Sequence, residues 1–94
     1  MTIGDKIASY GIPYQVRGYP LIVSAIDLLS SNNMLCMTDI YIALASKYDV
    51  SKSSIERNMR TAVNIANKRN NTNYTTKQLV YTILNSGNIP QKED

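Results

Sequence analysis

The sequence has no histidine, no tryptophan, no phenylalanine and a single cysteine. Without histidine or a cysteine cluster there is no ligand set for zinc. The side chain most often used as a general base near neutral pH is missing as well. One cysteine excludes an intramolecular disulfide. Cys36 lies between Leu35 and Met37 and is expected to be a buried, small apolar side chain rather than a reactive thiol. The four glycines, Gly4, Gly11, Gly18 and Gly87, form no phosphate-cradling loop. The acids Asp5, Asp27, Asp39, Asp49, Glu56, Glu93 and Asp94 are scattered, with no pair at a spacing that suggests acid/base work. Together these absences argue against an enzyme and against a metal or cofactor. No apolar run reaches the ~18–20 residues of a membrane helix; the longest candidate, Leu21–Leu29, is interrupted by Ser24 and Asp27. Met1–Lys6 lacks the basic-then-apolar plan of a signal peptide, so a cytoplasmic location and no membrane partner are expected.

What is present fits one small globular domain over 1–94, with a flexible polar tail expected at 88–94. Apolar residues make up 44% of the 94, an ordinary share for a folded domain. The net charge of +3 is mild, but its distribution is uneven. The segment Ser51–Asn70 holds Lys52, Arg57, Arg60, Lys68 and Arg69 against Glu56 alone, a net +4, while five basic and six acidic side chains elsewhere leave −1. Positive charge gathered on one segment is the footprint of a polyanion partner.

Periodicity predicts an all-α fold, a compact bundle of about five helices. The first spans Thr2–Tyr10 with Ile3, Ile7 and Tyr10 at helical spacing and Gly11 past its end. A stiff link with Pro13 leads to the second, Tyr19–Ser31, whose stripe of Leu21, Ile22, Ala25, Ile26 and Leu29 is the expected centre of the core. Ser30–Asn33 ends it. The third is predicted over Asp39–Tyr48, capped by Thr38, with Ile40, Ala43, Leu44 and Tyr48 inward. A tight Asp49-Val50 link leads to the fourth, Ser51–Asn70. Ser51 or Ser53 caps it, the latter in a capping box with Glu56, and Val50 and Ile55 have the spacing of a hydrophobic staple. The fifth is predicted over Thr76–Asn85, with Gly87 beyond its end. Two helices joined by so short a turn, about 39–48 and 51–70, read as a helix-turn-helix. The tyrosines are expected to be core or half-buried, and Met34, Met37 and Met59 to be packing residues.

On a helical wheel the fourth helix places Ile55, Met59, Ala62, Val63 and Ala66 on one face and Ser53, Arg57, Arg60, Thr61, Asn64 and Lys68 on the other. Arginine presents a planar fork matching guanine O6 and N7, and glutamate accepts from cytosine N4. Hydroxyls, amides and lysine suit phosphate oxygens. By pattern alone, the same face is equally a solvated helix surface, with Glu56 and Arg60 as an ordinary i,i+4 ion pair.

Two blocks carry a family resemblance. Gly11-Ile12-Pro13-x-x-Val16-Arg17-Gly18-Tyr19, followed by Ala25-Ile26, is the first. Ala45-x-Lys47-Tyr48, followed by Ile55-Glu56-Arg57-x-Met59-Arg60-x-Ala62-Val63-x-x-Ala66, is the second. They resemble the C-terminal DNA-binding effector domain of stage 0 sporulation protein A, the bacterial response regulator that starts sporulation. A weaker match runs over Thr75–Ser86, and the resemblance covers roughly residues 3–86. It implies sequence-specific binding of double-stranded DNA and transcription regulation by a shortened, stand-alone member associated with the nucleoid. The recognition helix, 51–70, would enter the major groove. Glu56, Arg57 and Arg60 would read bases, and Lys52, Ser53, Asn64, Lys68 and Arg17 would contact phosphates. Homodimers on tandem sites are implied too. Three differences stand out. Ser54 occupies the position of a family arginine that helps read DNA. Ile42 and Ala43 replace a Pro-Asp pair. The stretch after the recognition helix is cut to Asn70–Tyr74, without the family's Phe-Gly-Tyr segment tied to RNA polymerase sigma, so a polymerase contact does not carry over. The alternative is a diverged protein-interaction module that binds a regulator or polymerase without reading DNA.

Overall fold

A computed structural model of the chain describes the backbone of residues 3–32 and 36–93 and the side chains of 5–32 and 36–85. It contains five helices in order: α1 (Ile3–Ser9), α2 (Gly18–Ser31), α3 (Met37–Tyr48), α4 (Lys52–Asn70) and α5 (Thr76–Glu93). The expected all-α bundle is what the chain forms. Expectations on Thr2, Asn33, Met34, Leu35 and the side chains of Ile3 and of 88–94 lie outside the described residues.

The core forms where the periodicity placed it. Leu21, Ile22, Ala25, Ile26 and Leu29 of α2 are all buried, and α2 touches each of the other four helices, most extensively α4. Ile7 and Ile12, Ile40 and Leu44, Ile55, Met59 and Val63, and Leu79, Val80 and Ile83 close around that stripe. Ser24 is the one buried polar side chain among the described residues. Its hydroxyl lies 3.1 Å from the Tyr48 hydroxyl and accepts from Lys47 Nζ at 3.4 Å, a polar tie between α2 and α3 that answers the cost of burying it.

Several boundaries differ from expectation. α3 starts two residues early, with Cys36 rather than Thr38 at its N-cap. The cause is Asp39, whose Oδ2 reaches back to accept from the Cys36 N–H and the Cys36 thiol, both at 3.3 Å. A carboxylate three residues into a helix satisfies a free donor and meets the positive end of the dipole. Cys36 is therefore exposed at a helix end, not buried. With α3 so placed, Ala43 and Tyr48 are exposed too; Met37, Ile40 and Leu44 are buried, with Tyr41 and Ala45 packed partly against the core. α5 runs on to Glu93, past Gly87. A glycine weakens a helix by about 1 kcal/mol relative to alanine but does not by itself end one. Its start is set by a reciprocal pair, Thr75 N–H to Gln78 Oε1 at 2.9 Å and Gln78 N–H to Thr75 Oγ1 at 3.1 Å.

Two glycines govern how the helices meet. Gly18, the first residue of α2, lies directly against α4: a Cβ there would sit 2.6 Å from Ala62 Cβ and closer still to the Asn58 carbonyl oxygen. Gly11 has φ +96°, a left-handed conformation that ends α1, and a Cβ there would be 3.0 Å from Asn70 Nδ2 and 3.4 Å from Ala66 Cα. The link between α1 and α2 thus runs along the back of α4, with Ile12 fully buried beneath it. Gly18→Ala is expected to lower stability by about 1–3 kcal/mol, because backbone rather than a flexible side chain blocks the added methyl. The urea midpoint measures it, and an unchanged midpoint would show that the α2–α4 contact has slack.

Candidate nucleic-acid interface

The connection between α3 and α4 is a tight one. Asp49 adopts the left-handed conformation (φ 56°), its N–H turns back to Ser46 O, and the Val50 N–H bonds Ala45 O at 3.1 Å. Aspartate tolerates this conformation better than most residues. The chain then extends through Ser51, whose Oγ accepts from the Ser54 N–H at 3.1 Å and caps α4. Of the two caps the sequence allowed, Ser51 is used, and the Ser53/Glu56 box is not. Val50 remains 45% exposed while Ile55 is buried, so little of the anticipated staple is covered. Ser54 is half-buried and accepts a hydrogen bond from the Ser51 hydroxyl at 3.1 Å; it serves the helix end.

Along α4 the two faces separate as the wheel predicts. Ile55, Met59, Ala62, Val63 and Ala66 are buried. Lys52, Ser53, Arg57, Arg60, Thr61, Asn64 and Lys68 are exposed, and Glu56 is half-buried at the edge. Among the described residues, the side chains of Lys52, Arg57, Arg60, Asn64, Lys68 and Arg17 make no intramolecular hydrogen bond or ion pair, and Glu56 and Arg60 do not pair with each other. The face is cationic and its donors are uncommitted.

Arg17 arrives from a different element. It is exposed and adjoins Gly18, which touches Asn58 and Ala62. The α1–α2 link therefore brings the Arg17 backbone close to the second and third turns of α4.

The back of α4 is held along its length. Gly18 meets it at Asn58–Ala62 and Gly11 at Ala66–Asn70. Asn70 Nδ2 donates to Tyr10 O at 2.7 Å. The Asn67 amide holds the following turn, donating to Tyr74 O at 2.9 Å and accepting from Tyr74 N–H and Thr72 Oγ1 at 3.0 and 2.9 Å. Asn71 closes the helix in the left-handed conformation. A helix so fixed presents its outer face as a rigid surface. The periodicity of α4 gives no sign of these amide anchors, because Tyr10 and Tyr74 meet Asn70 and Asn67 only in three dimensions.

Tyr41 of α3 was missed as well. It is half-buried against the core, and its phenol feels both Glu56 and Arg60 across the α3–α4 contact. Burial chiefly raises its pKa above the usual tyrosine value, the Glu56 carboxylate adds to the rise, and the Arg60 guanidinium opposes it.

The match to the sporulation initiation factor Spo0A C-terminal family spans residues 3–93. The chain belongs to that family. Its members' domain is the DNA-binding effector part of a sporulation regulator and is regulatory rather than catalytic. Both family blocks found in the sequence meet at α4: the Ile55–Ala66 part of the second lies in the helix, and the glycines of the first lie against its back. No solved structure matches the chain. Among the described residues no helix is long and apolar enough to cross a membrane, and no group of three or more metal-binding side chains occurs.

The cap assignment is directly testable. Ser51→Ala is expected to cost about 1 kcal/mol of stability, as loss of an N-cap does. Ser53→Ala, at an exposed position outside the cap, should stay within about 0.5 kcal/mol of the parent. Equal shifts in thermal or urea melts would contradict the assignment of Ser51.

Proposed function

We propose that this protein is a sequence-specific double-stranded DNA-binding transcription regulator that lays α4 in the major groove. The observation that carries the reading is the outer face of α4. Among the described residues, Arg57, Arg60 and Lys68 stand there with Ser53, Thr61 and Asn64, without internal hydrogen bonds or ion pairs, on a helix whose back is clamped. Membership of a DNA-binding family supports the same reading.

In this reading Arg57 and Arg60 approach guanine edges and Glu56 accepts from a cytosine amine. These three side chains read sequence. Lys52, Ser53, Asn64 and Lys68, with Arg17 from the neighbouring link, hold the phosphates and fix the register. The chain acts beside the chromosome as a small repressor or modulator, with two copies on tandem sites. Ser54, committed to the helix cap, takes no part in base reading, so the preferred sequence differs from that of relatives with arginine there.

Electrophoretic shifts at two salt concentrations separate the roles. Arg57→Ala and Arg60→Ala should each reduce discrimination between target and scrambled duplex by about 1–3 kcal/mol. Lys68→Ala should weaken binding to every duplex alike and lower the salt slope by about one. Selection from random duplexes identifies the target. Unchanged binding by the Arg57→Ala/Arg60→Ala double variant, or capture of a protein partner with no duplex bound at low salt, would sink the proposal.

A further inference from the structure

Among the described residues the core is apolar except at one place. Ser24, in the middle of α2, is buried with only 9% of its surface exposed. A hydroxyl there carries a desolvation cost that alanine would not. Both of its partners belong to the last turn of α3: the Tyr48 hydroxyl at 3.1 Å and Lys47 Nζ at 3.4 Å. The Lys47 ammonium also stands 5.4 Å from the centroid of the Tyr48 ring, within the range of a cation–π contact. Tyr48 is 39% exposed, so packing leaves its ring room to turn outward, and the hydroxyl contact is what holds it to α2.

The place of this node in the fold gives it a role beyond satisfying one serine. Tyr48 is the last residue of α3, and Asp49 after it begins the left-handed turn into α4. The Val50 N–H bonds back across that turn to Ala45 O at 3.1 Å. α2 is already locked to α4 at Gly18. The node locks α2 to the end of α3, so the α3–α4 turn is the third side of a closed triangle. Apolar surfaces can slide over one another with little loss, whereas a buried hydroxyl is satisfied in few arrangements, and fixing register is the best-attested use of such groups. We propose that Ser24 and Tyr48 are positioning residues for the helix-turn-helix, fixing the end of α3 on α2 and with it the direction in which α4 leaves the turn. The use of that direction in base reading rests on the DNA-binding reading of α4. A pair of hydroxyls brings no cation to the phosphates, so its effect is on discrimination between duplexes and not on general attraction.

Hydrogen exchange on the free, intact chain tests the positioning. In Tyr48→Phe the ring stays and Lys47 still donates to Ser24, so the buried hydroxyl keeps a partner. The Val50 N–H is expected to exchange about two- to tenfold faster, the scale of one lost hydrogen bond. The Thr72 N–H, bonded to Asn67 O at the far end of α4, should keep its parent rate. Ser24→Ala should give the same local pattern, and the Ser24→Ala/Tyr48→Phe double variant no more than either alone, because all three lose one shared contact. An unchanged Val50 rate in Tyr48→Phe overturns the proposal, and so does equal acceleration at Val50 and Thr72, which marks a contact that only adds stability. Duplex selection tests what the positioning is for. Tyr48→Phe should lose about two- to tenfold in the ratio of target to scrambled duplex binding, with the scrambled-duplex affinity and the salt slope unchanged. Full discrimination in Tyr48→Phe despite faster Val50 exchange overturns the link from turn to recognition. A parent chain that selects no duplex, yet shows the local exchange pattern, refutes the DNA-binding reading and leaves the node as a device that sets the turn alone.

Discussion

Everything in this small bundle depends on how closely the start of α2 approaches the back of α4. At Gly18 there is no room for even one additional carbon, because Ala62 and the Asn58 carbonyl occupy the space. Interiors packed this tightly do not yield gradually, so the contact sets one relative placement of the two helices. The central stripe of α2 faces that contact, and the other helices assemble around it. Gly11, in a conformation that residues with a Cβ rarely adopt, turns the chain so that the link can reach α4 at all. The Gly-Ile-Pro…Gly-Tyr block is thus a clasp for the opposite helix, and its separation in sequence from the Glu-Arg-x-x-Arg block hides that the two are one structural unit.

Clamping one face of a helix has a consequence for the other. α4 is fixed at both ends, by the Ser51 cap on the Ser54 N–H at the start and by the Asn67 and Asn70 side chains, which tie it to Thr72, Tyr74 and Tyr10, at the end. Its outer side chains are consequently displayed on a fixed frame and have no internal partners competing for them. For a surface that must match the spacing of groups on a duplex, this preorganisation matters more than the modest overall charge of the chain. The charge steers encounter, while the frame selects.

Much of this was legible in the residues. The five helices, the buried stripe of α2 and both faces of α4 follow from the spacing of apolar side chains, which burial enforces whatever the surrounding fold. What was misread lay at ends and edges. Thr38 was a plausible cap, but Asp39 favours Cys36 because a carboxylate at that distance satisfies the Cys36 N–H. Tyr48 and Ala43 fit an inward pattern, yet both are exposed, Tyr48 at the edge where its hydroxyl reaches Ser24 of α2. Local signals compete at such positions, and tertiary contacts decide among them. The Thr75/Gln78 pair was visible in the sequence as a capping box and overlooked.

The recognition helix itself divides along the same line. The sequence alone determined that residues 52–70 form an amphipathic helix with a basic outer face, since both properties are periodic and local. Only the tertiary structure decided that Gly11 and Gly18 lie against the back of α4, that Ser54 belongs to the cap, and that Asn67 and Asn70 near the end of the helix anchor it. Each of those depends on residues far apart in the chain or on a choice between equivalent local partners, and periodicity carries no information about either.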